Sequence, residues 1–149
     1  MTPPASPPSA LIDGYKRFRG TRYPKEAARY AGLAEGQQPK TMLIACADSR
    51  VDPATIFGVA PGELFIVRNV ANLVAPCVAP GASLHGTSAA SEFAVNSLGV
   101  EDIVVMGHGR CGGIAASLAE AEDRPIEQFI APWGHHYRGS CTTDHGPSN

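Results

Sequence analysis

The stretch LIACADSRVDP, Leu43 to Pro53, begins as a strand and ends as chemistry. Leu43, Ile44 and Ala45 continue Thr41 and Met42 in an apolar run of the length expected for a strand buried on both faces. Cys46, Asp48, Ser49 and Arg50 follow at once, so a thiol, an acid and a guanidinium arrive together at the end of a core strand. The chain then turns: Asp52 is suited to cap a short helix reaching Phe57, with Pro53 at its first position. A buried strand that ends in polar groups and leads into a helix is a building block of parallel α/β sheets. In such sheets functional groups collect just beyond the carboxyl ends of the strands.

Outward from that stretch the alternation continues. Glu63–Val67 (ELFIV) and Asp102–Met106 (DIVVM) read as two more strands, the latter buried like the first. Helical spacing covers Leu11–Phe18 and Pro24–Ala34, each ended by glycine or proline, and Thr87–Leu98, stopped by Gly99. Gly81–Gly86 reads as loop, and Cys111–Ala121 as an alanine-rich helix after a glycine-rich turn. The fold class is therefore α/β, a parallel β-sheet core with flanking helices joined by right-handed crossovers. No internal repeat or linker marks a second domain. Residues 1–10, MTPPASPPSA, with four prolines, read as a disordered arm. Residues 11–133 form the domain. Residues 134–149, aperiodic and holding three of the five histidines, read as an irregular tail.

The bulk composition excludes several classes of function. With 149 residues and 44% hydrophobic content, the chain suits one domain with a sizeable core. A net charge of −2 offers no basic field for nucleic acid. The longest apolar runs are too short to span a bilayer. No export signature opens the sequence, so a cytoplasmic protein is expected and its four cysteines read as ligands or buried thiols rather than disulfides.

A second unusual stretch, VVMGHGRCGG (Val104–Gly113), ends the third strand with His108 and Cys111. If the first and third strands are neighbours, Cys46, His108 and Cys111 converge. Two sulfurs and a nitrogen suit Zn²⁺, and three protein ligands leave its fourth position open, as catalytic sites do. Two thiolates cancel the formal charge of the metal and blunt its acidifying effect on water. Asp48 can compensate by accepting a hydrogen bond, with Arg50 holding it ionised and oriented. Taken singly, each residue has a plainer reading. A lone cysteine at a strand end is more often a small buried hydrophobe, and Asp-Ser-Arg is a possible exposed turn. HGRCGG lacks the Lys-Ser/Thr of a phosphate-cradling loop, and Cys46 as a bare nucleophile leaves Cys111 unexplained. It is the joint occurrence at two strand ends that favours the metal.

Cys46-Ala47-Asp48-Ser49-Arg50 followed by His108-Gly109-Arg110-Cys111 resembles the β-class carbonic anhydrases. GQQPKTMLIACADSRVDP, FIVRNVAN, GTSAASEFAV and DIVVMGHGRCGG fall in that family's order and spacing, across residues 11–130. The resemblance implies Cys46, His108 and Cys111 as zinc ligands and Asp48–Arg50 as a catalytic dyad. It implies Gln37 as a substrate contact and Phe65 and Val70 as the walls of an apolar pocket. Phe93 stands where the plant-type branch often has tyrosine. In a closed state the counterpart of Asp48 itself binds the metal. The implied reaction is the hydration of CO2 to bicarbonate and a proton by zinc-bound hydroxide, a lyase activity. The implied assembly is a homodimer or higher oligomer, with the glutamine and phenylalanine supplied by the neighbouring chain.

The resemblance fades after Trp133, where the family continues with further helices and a central strand. A frameshift or mis-called gene end after Trp133 is the expectation, with a product that is marginal, aggregation-prone or dependent on partners. Other readings are a non-catalytic zinc-binding fragment and a CS2 or COS hydrolase on the same scaffold. His135, His136 and Cys141 as a second metal site are weighed against weak adventitious binding, and Cys77 is taken as a bystander.

Overall fold

The computed structural model describes residues 6–74, 86–118, Ile130 and Trp133, which fall in two units, residues 1–37 and 38–149. Cys77, most of the 81–86 loop, residues 1–5 of the arm, residues 119–121 and the 134–149 tail lie outside the described residues.

In the first unit α1 (Ser9–Arg17) passes through a π-helical turn (Phe18–Arg22) into the short α2 (Tyr23–Lys25), and α3 (Ala27–Glu35) follows. The expected break between two helices after Phe18 is corrected. Gly20 and Thr21 are carried inside the wider turn, where the Thr21 hydroxyl donates to the Arg17 carbonyl at 2.6 Å. Pro24 is tolerated because it falls in the first turn of α2, where no intrahelical N–H is needed. The rings of Phe18, Tyr23 and Tyr30 gather with centroids 5.1 to 5.9 Å apart.

The second unit holds a three-stranded parallel sheet of β1 (Thr41–Cys46), β2 (Leu64–Asn69) and β3 (Asp102–Met106), ordered β2-β1-β3. β1 is the central strand, and Met42, Leu43, Ile44 and Ala45 are at most 2% exposed. Burying each of the three larger side chains contributes about 2 kcal/mol. Met42 and Ile44 pack with Ala94, Phe65, Val67, Ala90 and Val100 along the body of the sheet. A second cluster of Cys46, Ala71, Leu73 and Cys111, joined by Val51, Ile114 and Trp133, includes the residue that ends β1. The crossovers carry α4 (Pro53–Phe57) and α5 (Gly86–Phe93); a π-helical turn, Ala94–Leu98, extends the latter. Gly99 ends that turn at φ 64°, a left-handed conformation natural to glycine. α6 (Gly112–Leu118) follows β3. No described helix is long and apolar enough to cross a membrane.

The apolar run over β3 predicts a buried strand, yet Ile103, Val104 and Val105 are 49%, 42% and 51% exposed. β3 is the edge of the described sheet, and β1 is the one described element packed extensively on it. Its apolar composition satisfies strand propensity without a layer among the described residues to cover it.

Asp52 caps α4 as expected, accepting from the Thr55 N–H at 2.9 Å and the Thr55 hydroxyl at 2.6 Å. The Thr55 hydroxyl, then its N–H, hold the Asp52 carboxyl below its usual range. A lowered folded-state pKa gives stability that is present above the unfolded value, about pH 4, and is lost as pH falls through the folded value. Asp52→Ala should lower Tm by a few degrees at neutral pH. In thermal unfolding at stepped pH, the gap from the parent should close in acid; a gap unchanged down to the lowest pH contradicts this.

Candidate metal centre

Cys46 closes β1, and Ala45, the residue before it, pairs with Met106, the last residue of β3. His108 and Cys111 therefore leave β3 beside the end of β1. One ligand atom from each of Cys46, His108 and Cys111 lies within 4.8 Å of the others. The two sulfurs are 3.7 Å apart, far beyond the ~2.05 Å of a disulfide. Two thiolates on one tetrahedral zinc, with Zn–S about 2.3 Å, would stand about 3.8 Å apart. The His108 Nδ1 lies 3.1 Å from the Gly109 carbonyl oxygen, which fits a protonated Nδ1 donating to it. Its Nε2 is buried and has no hydrogen-bond partner among the described residues. A buried ring nitrogen without such a partner, close to two cysteine sulfurs, is suited to hold an ion. The donor set fits zinc.

Cys46 is held down to about 7. Burial opposes ionisation, but the Asp48 backbone N–H, the His108 ring, the Ala71 N–H and Cys111 together outweigh it.

Asp48 stands outside the ligand group. Arg50 grips it with Nε on Oδ1 at 2.9 Å and Nη2 on Oδ2 at 2.6 Å, while the Arg50 N–H adds a bond to Oδ1 at 2.9 Å. The Arg50 side chain, then its backbone N–H, hold the Asp48 carboxyl well below the ordinary carboxylate range. Its Oδ2 lies 4.0 Å from His108 Nε2, within reach of whatever that nitrogen binds. Arg50 Nη2 also donates to the Arg110 carbonyl at 3.2 Å, which ties the first motif to the second. Arg110 takes a left-handed φ of 54°. Asp48 is thus engaged by Arg50 and is not one of the three grouped ligand residues.

Within the second unit, Val70 and Phe65 take different places. Val70 follows β2 at the Cys46 end and packs on Gly113, where an added Cβ would lie 2.7 Å from Val70 Cγ1. Phe65 pairs with Met42, four residues along β1 from Cys46, and its ring meets Phe93 at 5.9 Å. Within one chain, then, Phe65 belongs to the body of the sheet rather than to this cluster. Gln37 is exposed and belongs to the first unit.

Sequence reasoning missed Arg68. From β2 its Nε donates to the Cys46 carbonyl at 3.0 Å and its Nη2 to the Asp48 and Val51 carbonyls at 2.7 and 3.5 Å; Nη1 lies 3.6 Å from Asp52 Oδ1. One guanidinium thus fastens the loop that carries the first motif. The available signal was an arginine interrupting the apolar run FIV just before the strand ends. Arg68→Gln should lower stability by about 2 kcal/mol, measured by denaturant unfolding, through carbonyls left without a donor. An unchanged midpoint contradicts the clamp.

The carbonic anhydrase family model matches residues 41–148, past Trp133, where the sequence reading ended the resemblance. The chain is 45% identical over 116 residues to the chloroplastic β carbonic anhydrase 5 of Arabidopsis thaliana, covering 78% of this chain and 38% of that protein. The structure of the β-carbonic anhydrase CcaA aligns with TM-score 0.81 at 32% identity, over 89% of this chain and 58% of that one. A structure of tetrameric β-carbonic anhydrases from Sordaria macrospora aligns with TM-score 0.75 at 31% identity, over 88% and 62%. The chain spans less than two thirds of each of these relatives. With more than half of its residues inside the family match, and these structures superposing on its fold, the chain belongs to the β-class carbonic anhydrases.

Proposed function

We propose that this chain catalyses the reversible hydration of CO2 to bicarbonate and a proton, with zinc as cofactor. The observation that carries the reading is a Cys46–His108–Cys111 group beside a carboxylate already locked by arginine. Cys46, His108 and Cys111 would hold the ion. Zinc, when bound, supplies a Lewis acid that makes a water-derived nucleophile available near neutral pH.

The protein groups have separable tasks. Asp48 Oδ2 would accept a hydrogen bond from the attacking water and so orient it, a role supported by its 4.0 Å separation from His108 Nε2. Arg50 keeps that oxygen anionic and turned by its two-pronged grip, so the acceptor is ready before substrate arrives. Val70 offers an apolar wall suited to an uncharged linear substrate. The resemblance implies that Phe65 and Gln37 contact substrate in the site of a second copy. A homo-oligomer is therefore part of the proposal, supported by the tetrameric relatives from Sordaria macrospora.

Stopped-flow CO2 hydration by the zinc-loaded chain tests this directly. Asp48→Asn replaces an acceptor with an amide and should cut kcat/KM by about a hundredfold or more while leaving zinc content unchanged. A silent parent, or a fully active variant, refutes the assignment.

A further inference from the structure

The turn after β2 is strained and held from several sides. Ala71 and Asn72 take φ of 67° and 46°, a conformation that is costly for residues other than glycine. Neighbours over-determine it. The Asn69 side chain brackets the turn, its Nδ2 donating to the Leu73 carbonyl and its Oδ1 accepting from the Leu73 N–H, both at 2.8 Å. Gly113 approaches so closely that a Cβ there would lie 2.7 Å from Val70 and 2.9 Å from Ala71. The Trp133 indole N–H, 63 positions along the chain, donates to the Val70 carbonyl at 2.7 Å. The turn delivers Ala71, which is fully buried in one cluster with Cys46 and Cys111, and Trp133 packs against that cluster.

We propose that Trp133 is a positioning residue of the metal centre: by holding the Val70 carbonyl it fixes the strained turn against which Cys46 and Cys111 are set side by side. The inference rests on the zinc reading above. A strained turn always has a relaxed competitor, and a directional hydrogen bond selects between them. A ring of similar size without the N–H fills the space but does not hold the carbonyl. Trp133 is also the sole tryptophan, so its emission reports on this contact without an added label.

The test uses the 149-residue chain loaded with cobalt(II), whose thiolate-to-metal absorption bands read the geometry of the two sulfurs. Trp133→Phe should shift those bands and weaken zinc binding about tenfold or more in a chelator competition, as loss of an outer support does at other metal sites. Unfolding of the metal-free variant should stay near that of the parent, which a merely structural role would not allow. Trp133→His, a smaller ring that keeps an N–H, should restore the bands in part. Parent-like bands and affinity in Trp133→Phe overturn the inference. If that variant does not fold, Gly113→Ala, which pushes the same turn from the other side, decides it: unchanged bands overturn the inference and shifted bands support it. A parent that takes up no cobalt overturns the zinc reading and this inference with it.

Discussion

The parallel pairing of β1 with β3 is the constraint on which the rest depends. Cys46 and the His108–Cys111 pair lie far apart along the chain, and only the Thr41↔Asp102 to Ala45↔Met106 register brings their strand ends level. A slip of one residue would turn Cys46 to the opposite face of the sheet and separate the sulfurs. The register is secured from the opposite end as well: the Lys40 carbonyl accepts from the Glu101 and Asp102 N–H groups, and the Lys40 ammonium pairs with the Glu101 carboxylate. The fully buried body of β1 makes any slip costly, since Met42, Leu43, Ile44 and Ala45 differ in volume and would be exchanged between two packed faces.

Around that pairing the site balances two opposing demands. Metal ligation needs ionised thiols, whereas burial favours neutral ones. Backbone N–H groups from Asp48 and Ala71 offset the burial at Cys46. Two arginines then divide the remaining work. Arg50 acts on the Asp48 side chain and reaches across to the Arg110 carbonyl, while Arg68 acts on the carbonyls of the same loop. Because the guanidinium carries several donors in a fixed fork, each arginine couples groups that the compact ammonium of a lysine could not span. Rigidity at the first motif thus comes from charged side chains as well as from packing.

Much of this was legible in the chain itself. The β1 run, the Asp52–Pro53 helix start and the Gly99 stop all rest on local rules, and local rules suffice where neighbours in sequence make the contacts. The meeting of Cys46, His108 and Cys111 was readable because parallel sheets gather strand ends on one side. What escaped was tertiary. Nothing near Arg68 announces that it serves carbonyls on another strand, and RNVAN gives no hint that Ala71 would sit at positive φ. The exposure of β3 was misjudged because an apolar run reports what a strand is made of and not what covers it. The break expected after Phe18 failed for a related reason: Gly20 permits a stop without requiring one, and a π-helical turn absorbs it.

The central claim is that a single ion is shared by two thiolates and one imidazole, with a position left for solvent. X-ray absorption at the zinc edge of the metal-loaded chain measures this most directly. The account predicts two sulfur neighbours at about 2.3 Å and two nitrogen or oxygen neighbours at about 2.0 Å. Three or four sulfurs, or none, would contradict it.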